Sequence, residues 1–163
     1  MPTVHLLCGL PGSGKTTLAR RLEQERPALR FTLDEWMLGL FDLTPYDPGY
    51  GERADRVKAQ IWRVAAGVLA LERDVVLDWS HWSRGARADA KKRGHELRAE
   101  VLLHYLDVPL AEVERRIGER NLVAPAGVHR IDIQDLRRFA SESFESPGAE
   151  EGLVVVVHPT PAP

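Results

Sequence analysis

The nonapeptide Gly-Leu-Pro-Gly-Ser-Gly-Lys-Thr-Thr at residues 9–17 constrains this chain more than any other feature. Gly9, Gly14, Lys15 and Thr16 fit the spacing G-x-x-x-x-G-K-[ST]. Glycines let such a loop curl until several backbone N–H groups point at one centre, which suits an anion with many oxygens. Val4 to Cys8 (VHLLC) precedes the loop as a short apolar run and predicts a buried strand. Thr16 to Gln24 predicts a helix ended by Pro27, and its N-terminus adds the positive end of the helix dipole. Gly9, Pro11, Gly12, Ser13, Gly14, Lys15, Thr16 and Thr17 are therefore expected to enclose the phosphates of a nucleoside triphosphate, taken to be ATP. Lys15 suits the β- and γ-phosphates, and the Thr16 hydroxyl suits Mg2+. The motif specifies a phosphate donor and is silent on the acceptor.

The rest of the chain alternates strands and helices. Leu29–Leu33, Asp74–Asp78, Val101–Val108 and Leu153–Val157 predict four more strands. Residues 42–51 (DLTPYDPGYG) predict a loop. Ala54, Val57, Ile61, Val64, Ala65 and Val68 trace one apolar helical stripe. Arg84–His95 predicts a basic helix, Pro109–Arg120 another, and Asp132–Phe144 a last one. Such alternation implies βαβ units and a parallel sheet, and strands apolar on both faces imply helices on both sides. With 163 residues and no linker or repeat, one domain over 1–158 with a frayed tail at 159–163 is expected. The net charge of −2 and pI near 6.3 lack the basic footprint of a general nucleic-acid binder. Cys8, the single cysteine, is expected to be a buried core residue. No apolar run has membrane-spanning length and the N-terminus does not resemble a signal peptide, so a cytoplasmic protein without membrane partners is expected.

The chemistry narrows further by elimination. No Asn-Lys-x-Asp and no Asp-x-x-G switch motif is present, as a guanine-reading GTPase would carry. Asp78 is followed by Trp79 and Asp107 by Val108, so neither strand-end aspartate leads into the glutamate that polarises water in motor-type ATPases. Transfer to an alcohol fits better than hydrolysis. A base for the acceptor hydroxyl is then needed, and Asp34, at a predicted strand end, is the first candidate; its alternative is a helix cap in FTLDEWM. Asp78 either serves Mg2+ and the acceptor or caps the helix after SHWSR, and Asp107 fits a cap before Pro109.

Cations must also cover the transferring phosphoryl group. Arg116 and Arg120, four apart on one helix flank, fit this role as a lid with the turn-rich NLVAPAGVHR behind them; the alternative is surface pairing of Arg116 with Glu112. Trp36, Met37, Phe41, Tyr46, Tyr50, Trp79, His81 and Trp82 fall on the acceptor side, where aromatic rings either stack a ligand or pack a core. Arg84 and Arg87 suit an anionic acceptor, Lys91 to Arg93 a solvated face, and His81 an alternative base.

GLPGSGKTT, the strand-end Asp34, VVLD, YLDVPLAEVERRIGERN and HRIDIQDLRRFASESFESP together resemble the AAA_33 group of small P-loop kinases. That group is related to the kinase domain of phage polynucleotide kinase and more distantly to zeta toxins and chloramphenicol phosphotransferase. The resemblance implies a three-layer αβα sandwich with a five-stranded parallel sheet of order 2-3-1-4-5 and a helical lid. It implies Asp34 as base, Arg116 and Arg120 on the triphosphate, and Asp78 near the acceptor. The run DEWMLGLF lacks the arginine that polynucleotide kinases tend to carry after the base, so a nucleic-acid 5′ end is not the favoured acceptor. An ATP- and Mg2+-dependent kinase for a small-molecule or nucleotide-like hydroxyl is the leading expectation. A non-catalytic ATP-binding module and a 5′-OH polynucleotide kinase are the alternatives.

Overall fold

The computed structural model describes residues 1–123 and 130–159. Thr3–Cys8 (β1), Ala28–Thr32 (β2), Asp74–Asp78 (β3), Glu100–Asp107 (β4) and Val154–Pro159 (β5) form one parallel sheet in the order β2-β3-β1-β4-β5. The expected topology is the observed one. Central β1 is buried along its whole length because both its neighbours and both its faces are covered. Within that sheet Leu6 pairs with Leu77 on one side and Leu103 on the other, which brings the ends of β1 and β3 to the same level.

Among the described residues six α-helices accompany the sheet: Lys15–Glu25 (α1), Leu33–Phe41 (α2), Tyr50–Ala70 (α3), Arg84–Glu96 (α4), Leu110–Val123 (α5) and Ile133–Arg138 (α6). On one face, Leu18, Ala19 and Leu22 of α1 pack on Leu7, Val76 and Leu106. The other core gathers α3 and Ala90 of α4 over Val4, Leu6, Val75, Leu77, Val101 and Leu103. A third cluster joins Leu10 of the glycine loop to Val113, Ile117 and Leu136, so α5 and α6 stand directly on that loop. Among the described residues no helix is long and apolar enough to cross a membrane.

Several expectations need correction. The buried row of α3 runs through Val57, Ile61, Ala65 and Leu69 with Trp62 beside it, and Val64 is exposed. Successive i+4 steps set that row, and Val64, three beyond Ile61, falls off it. The last helix is short: α6 gives way to a π-type turn at Phe139–Ser143. Strand β5 is an edge with Val154, Val156 and Val157 exposed, so cover on both faces does not extend to it. The tail at 160–163 lies outside the described residues.

One polar line crosses the α1 face of the sheet. His158 Nε2 lies 2.9 Å from His104 Nδ1, His104 Nε2 lies 2.9 Å from His5 Nδ1, and His5 Nε2 lies 3.5 Å from Asp74 Oδ2. An acceptor-only carboxylate at one end orders the chain, each Nε2–H donating toward Asp74. Burial lowers the pKa of His104 to about 3, aided by repulsion from His5, His158, Arg26 and Arg21. Burial likewise lowers His81 to about 4. The unfolded chain protonates both near 6.5 while the folded one does not, so stability is complete above that pH and falls as pH drops below it. Each buried histidine is expected to cost about 2 kcal/mol at pH 5. Thermal melts at pH 7.5 and 5.0 check this, and His104→Gln should show the smaller acid loss.

Candidate active site

The glycine loop leaves β1 at Cys8 and enters α1 at Lys15. Gly14 caps α1 with φ 102°, a left-handed turn that aims the first helical N–H groups back into the loop. Gly12, at φ 81°, carries a second constraint: a Cβ there would stand 2.9 Å from Ile117 Cδ1. The loop and α5 therefore touch backbone to side chain. Pro11 and Ser13 complete the curl, Ser13 buried and Thr17 exposed.

Lys15 folds back over this loop. Its Nζ donates to Gly9 O at 2.8 Å and Leu10 O at 2.9 Å. Burial pushes its pKa down to about 8, against the pull of Asp78, Cys8 and Asp34. Trp82 braces the same place, its indole Nε1 donating to Gly9 O at 2.9 Å.

Asp78 ends β3, and Asp34 follows the end of neighbouring β2 by two residues. Thr32, not Asp34, occupies the N-cap of α2, which leaves the Asp34 side chain on the first turn and exposed. Ser83, not Asp78, caps α4, with its side chain accepting from Ala86 N at 3.1 Å. The capping alternative is thereby removed for both aspartates. Asp78 is buried, and the Thr32 hydroxyl donates to its Oδ2 at 2.8 Å. Burial raises the Asp78 pKa, while hydrogen bonds from Thr32 and Thr16 and the charge of Lys15 oppose the rise. Thr16 and Asp78, the two expected Mg2+ ligands, thus lie close to each other. The Asp34 charge acts on Lys15, Asp78 and Arg120, so these four groups lie near enough to influence one another.

The arginines of α5 divide their work. Arg116 Nε pairs with Glu112 at 2.7 Å, the surface alternative, yet its Nη1 also lies 3.5 Å from Ser13 O in the glycine loop. Arg120 is half-buried, and burial lowers its pKa while Asp34 favours its charged form. Beyond it Asn121 Nδ2 donates to Ile131 O at 2.8 Å, tying the end of α5 to the start of α6. Asp132 caps α6, accepting from Gln134 N at 2.7 Å. Residues 124–129 of the expected lid lie outside the described residues.

Other expectations resolve differently. Trp36 is half-buried against Phe31, ring centroids 6.2 Å apart, and joins the core. Arg84 pairs with Glu150 at 2.7 Å. Arg87 is no anion receptor: it is fully buried and holds Glu151 through Nε and Nη2, both at 2.7 Å. His81 is no base, being buried, hydrogen-bonded to Leu7 O at 3.0 Å and uncharged until about pH 4. Cys8 is buried as expected, with its thiol pushed up to about 11 by burial. Sequence reasoning missed the grip of Tyr50 on Asp34, its OH donating to Oδ1 at 3.3 Å, and the brace from Trp82.

This arrangement has known relatives. The model of an AAA domain family, AAA_33, matches residues 4–142. The chain belongs to the AAA_33 family. As an AAA_33 protein it carries a P-loop kinase-like fold, and solved kinases share that fold. A candidate kinase from Chloroflexus aurantiacus superposes with TM-score 0.72 at 18% identity, covering 98% of this chain and 88% of its own. A chain of the Pnkp1/Rnl/Hen1 RNA repair complex gives TM-score 0.69 at 23% identity and covers 85% of this chain, which spans only 42% of that one. The Mycobacterium tuberculosis APS kinase CysC, in complex with AMPPNP and APS, gives TM-score 0.64 at 19% identity over 99% of this chain and 90% of its own.

Proposed function

We propose that this AAA_33 protein is a phosphotransferase that moves the γ-phosphoryl group of ATP to a hydroxyl of a small-molecule or nucleotide-like acceptor. The observation that carries the reading is the Asp34 carboxylate, relieved of capping by Thr32 and set beside Lys15, Asp78 and Arg120. A module that only bound nucleotide has no use for an exposed carboxylate within the field of the phosphate lysine.

The roles follow from chemistry. Loop N–H groups and Lys15 hold the phosphates, and Arg116 and Arg120 spread positive charge over the moving group. Asp34 accepts the proton of the acceptor hydroxyl as its oxygen bonds to phosphorus and the bond to ADP breaks. Thr16 and Asp78 fit Mg2+, since a hydroxyl and a carboxylate meet there and Mg2+ takes its remaining ligands from phosphate and water. The ion would neutralise charge on the phosphate oxygens.

Glu35, next to the base, is engaged by Arg30 at 3.0 Å and Arg20 at 3.5 Å, so the acceptor side carries paired charge where a nucleic-acid end would need free cations. The test is transfer from γ-labelled ATP with Mg2+ to a panel of nucleosides, sugars, aminoglycosides and 5′-OH oligonucleotides. Asp34→Asn is expected to keep ATP binding and lose transfer by about 10²–10⁴-fold. Transfer by that variant at the wild-type rate overturns Asp34 as base. Labelling of the oligonucleotide alone would establish the polynucleotide reading.

A further inference from the structure

We infer that Tyr50 is the positioning residue for Asp34, holding one carboxylate oxygen so that the other faces the acceptor hydroxyl. The inference rests on the phosphotransferase reading above and adds to it a group from a part of the chain that no motif marks. Three observations carry it.

The first is the contact itself. Tyr50 OH donates to Asp34 Oδ1 at 3.3 Å across 16 residues of sequence. Asp34 sits on the exposed first turn of α2, where among the described residues no other hydrogen bond fixes its rotamer. A carboxylate left to rotate in water spends little time in the geometry that proton transfer needs.

The second is how the hydroxyl is delivered. Tyr50 opens α3, after Gly49 at φ 76°, and its ring packs against the large core. The loop before it is tied internally: Asp47 Oδ2 accepts from Thr44 N and from Thr44 Oγ1, both at 2.7 Å, and Tyr50 N donates to Asp47 O at 3.2 Å. The same loop reaches the start of α6, where Tyr46 lies near the cap residue Asp132 and near Asp135. Residues 42–50 therefore link the base to the start of the helix that follows the arginines.

The third is chemical direction. Burial and the Asp34 charge both push the Tyr50 phenol up, so the hydroxyl keeps its proton and serves as donor. Oδ1 is thereby occupied and Oδ2 is left for the acceptor. A ring that merely filled space would give none of this.

Tyr50→Phe removes one oxygen and keeps the packing. The assay is MgATP turnover with water as acceptor and with each member of the panel above, together with thermal melting and binding of a fluorescent ATP analogue. Melting and nucleotide affinity are expected to stay at wild-type values, and KM for ATP with them. The turnover number is expected to fall by about 10- to 100-fold, the weight of one hydrogen bond to a charged group. A wild-type turnover number in Tyr50→Phe, with Asp34→Asn inactive, overturns the role of Tyr50 and leaves the base intact. Full activity of Asp34→Asn, or no turnover of MgATP by the wild-type protein with any acceptor, overturns the underlying reading and this inference with it.

Discussion

Lys15→Met is expected to abolish phosphoryl transfer, by about 10²–10³-fold or more, while leaving the protein as stable as the parent or more so. Both halves follow from where the ammonium lies. Nζ is satisfied by two backbone carbonyls, Gly9 O and Leu10 O. Neither carbonyl depends on it, because Trp82 Nε1 also donates to Gly9 O and Ser13 N to Leu10 O. Methionine therefore orphans no acceptor. It also removes a charge that burial disfavours, since the pKa of Lys15 is lowered to about 8. The residue keeps some exposure, so the relief is on the order of 1–3 kcal/mol.

The pH dependence separates this account from a packing effect. Between about 8 and 10.5 the unfolded lysine holds its proton while the folded one releases it, so wild-type stability rises through that window. Lys15→Met should show no such rise. Function moves the opposite way because a triphosphate supplies the charge that the loop carbonyls only approximate. A melt that collapses in Lys15→Met would instead mean that the ammonium holds the loop together.

What the sequence made legible was whatever depends on near neighbours. The glycine spacing, the apolar runs of β1 and β3, and the turn residues of 42–49 act within a few positions, and their elements form where local pattern places them. The strand order needed the family resemblance, because nothing local says that β3 lies between β1 and β2. Contacts across long separations were hidden. Thr32 reaches Asp78 over 46 residues, Arg87 reaches Glu151 over 64, and Trp82 reaches Gly9 over 73. Each decides a role that residue type alone left open. Asp78 reads equally as cap or ligand until Ser83 is seen to take the cap. Arg87 and Arg84 read alike until one proves fully buried and the other exposed.

Arg87→Met is the second large expected effect, a loss of about 3–5 kcal/mol in stability. Arg87 is the largest fully buried side chain among the described residues, and every polar atom of its guanidinium has work. Nε and Nη2 hold the two oxygens of Glu151 at 2.7 Å, and Nη1 donates to His81 O and Trp82 O, each at 2.9 Å. Removing the cation leaves a nearly buried carboxylate and two carbonyls without their donor. For a chain of this size the melting temperature should drop by about 10 °C. The sign with pH is also set. Arg87 holds the Glu151 pKa below its ordinary value, so the pair's contribution is present above about 4.5 and is lost as pH falls through the folded value. Arg87→Met should lose that acid dependence. The double variant Arg87→Met/Glu151→Met should recover much of the loss, since an apolar pair can replace a buried ion pair when neither charge is stranded. Nucleotide binding offers a last discrimination. The two carbonyls that Arg87 grips belong to the turn that carries Trp82, and Trp82 in turn braces Gly9 O. Below its melting temperature Arg87→Met should therefore bind ATP more weakly than the parent. Unchanged affinity would confine Arg87 to holding the chain around Glu151 against α4.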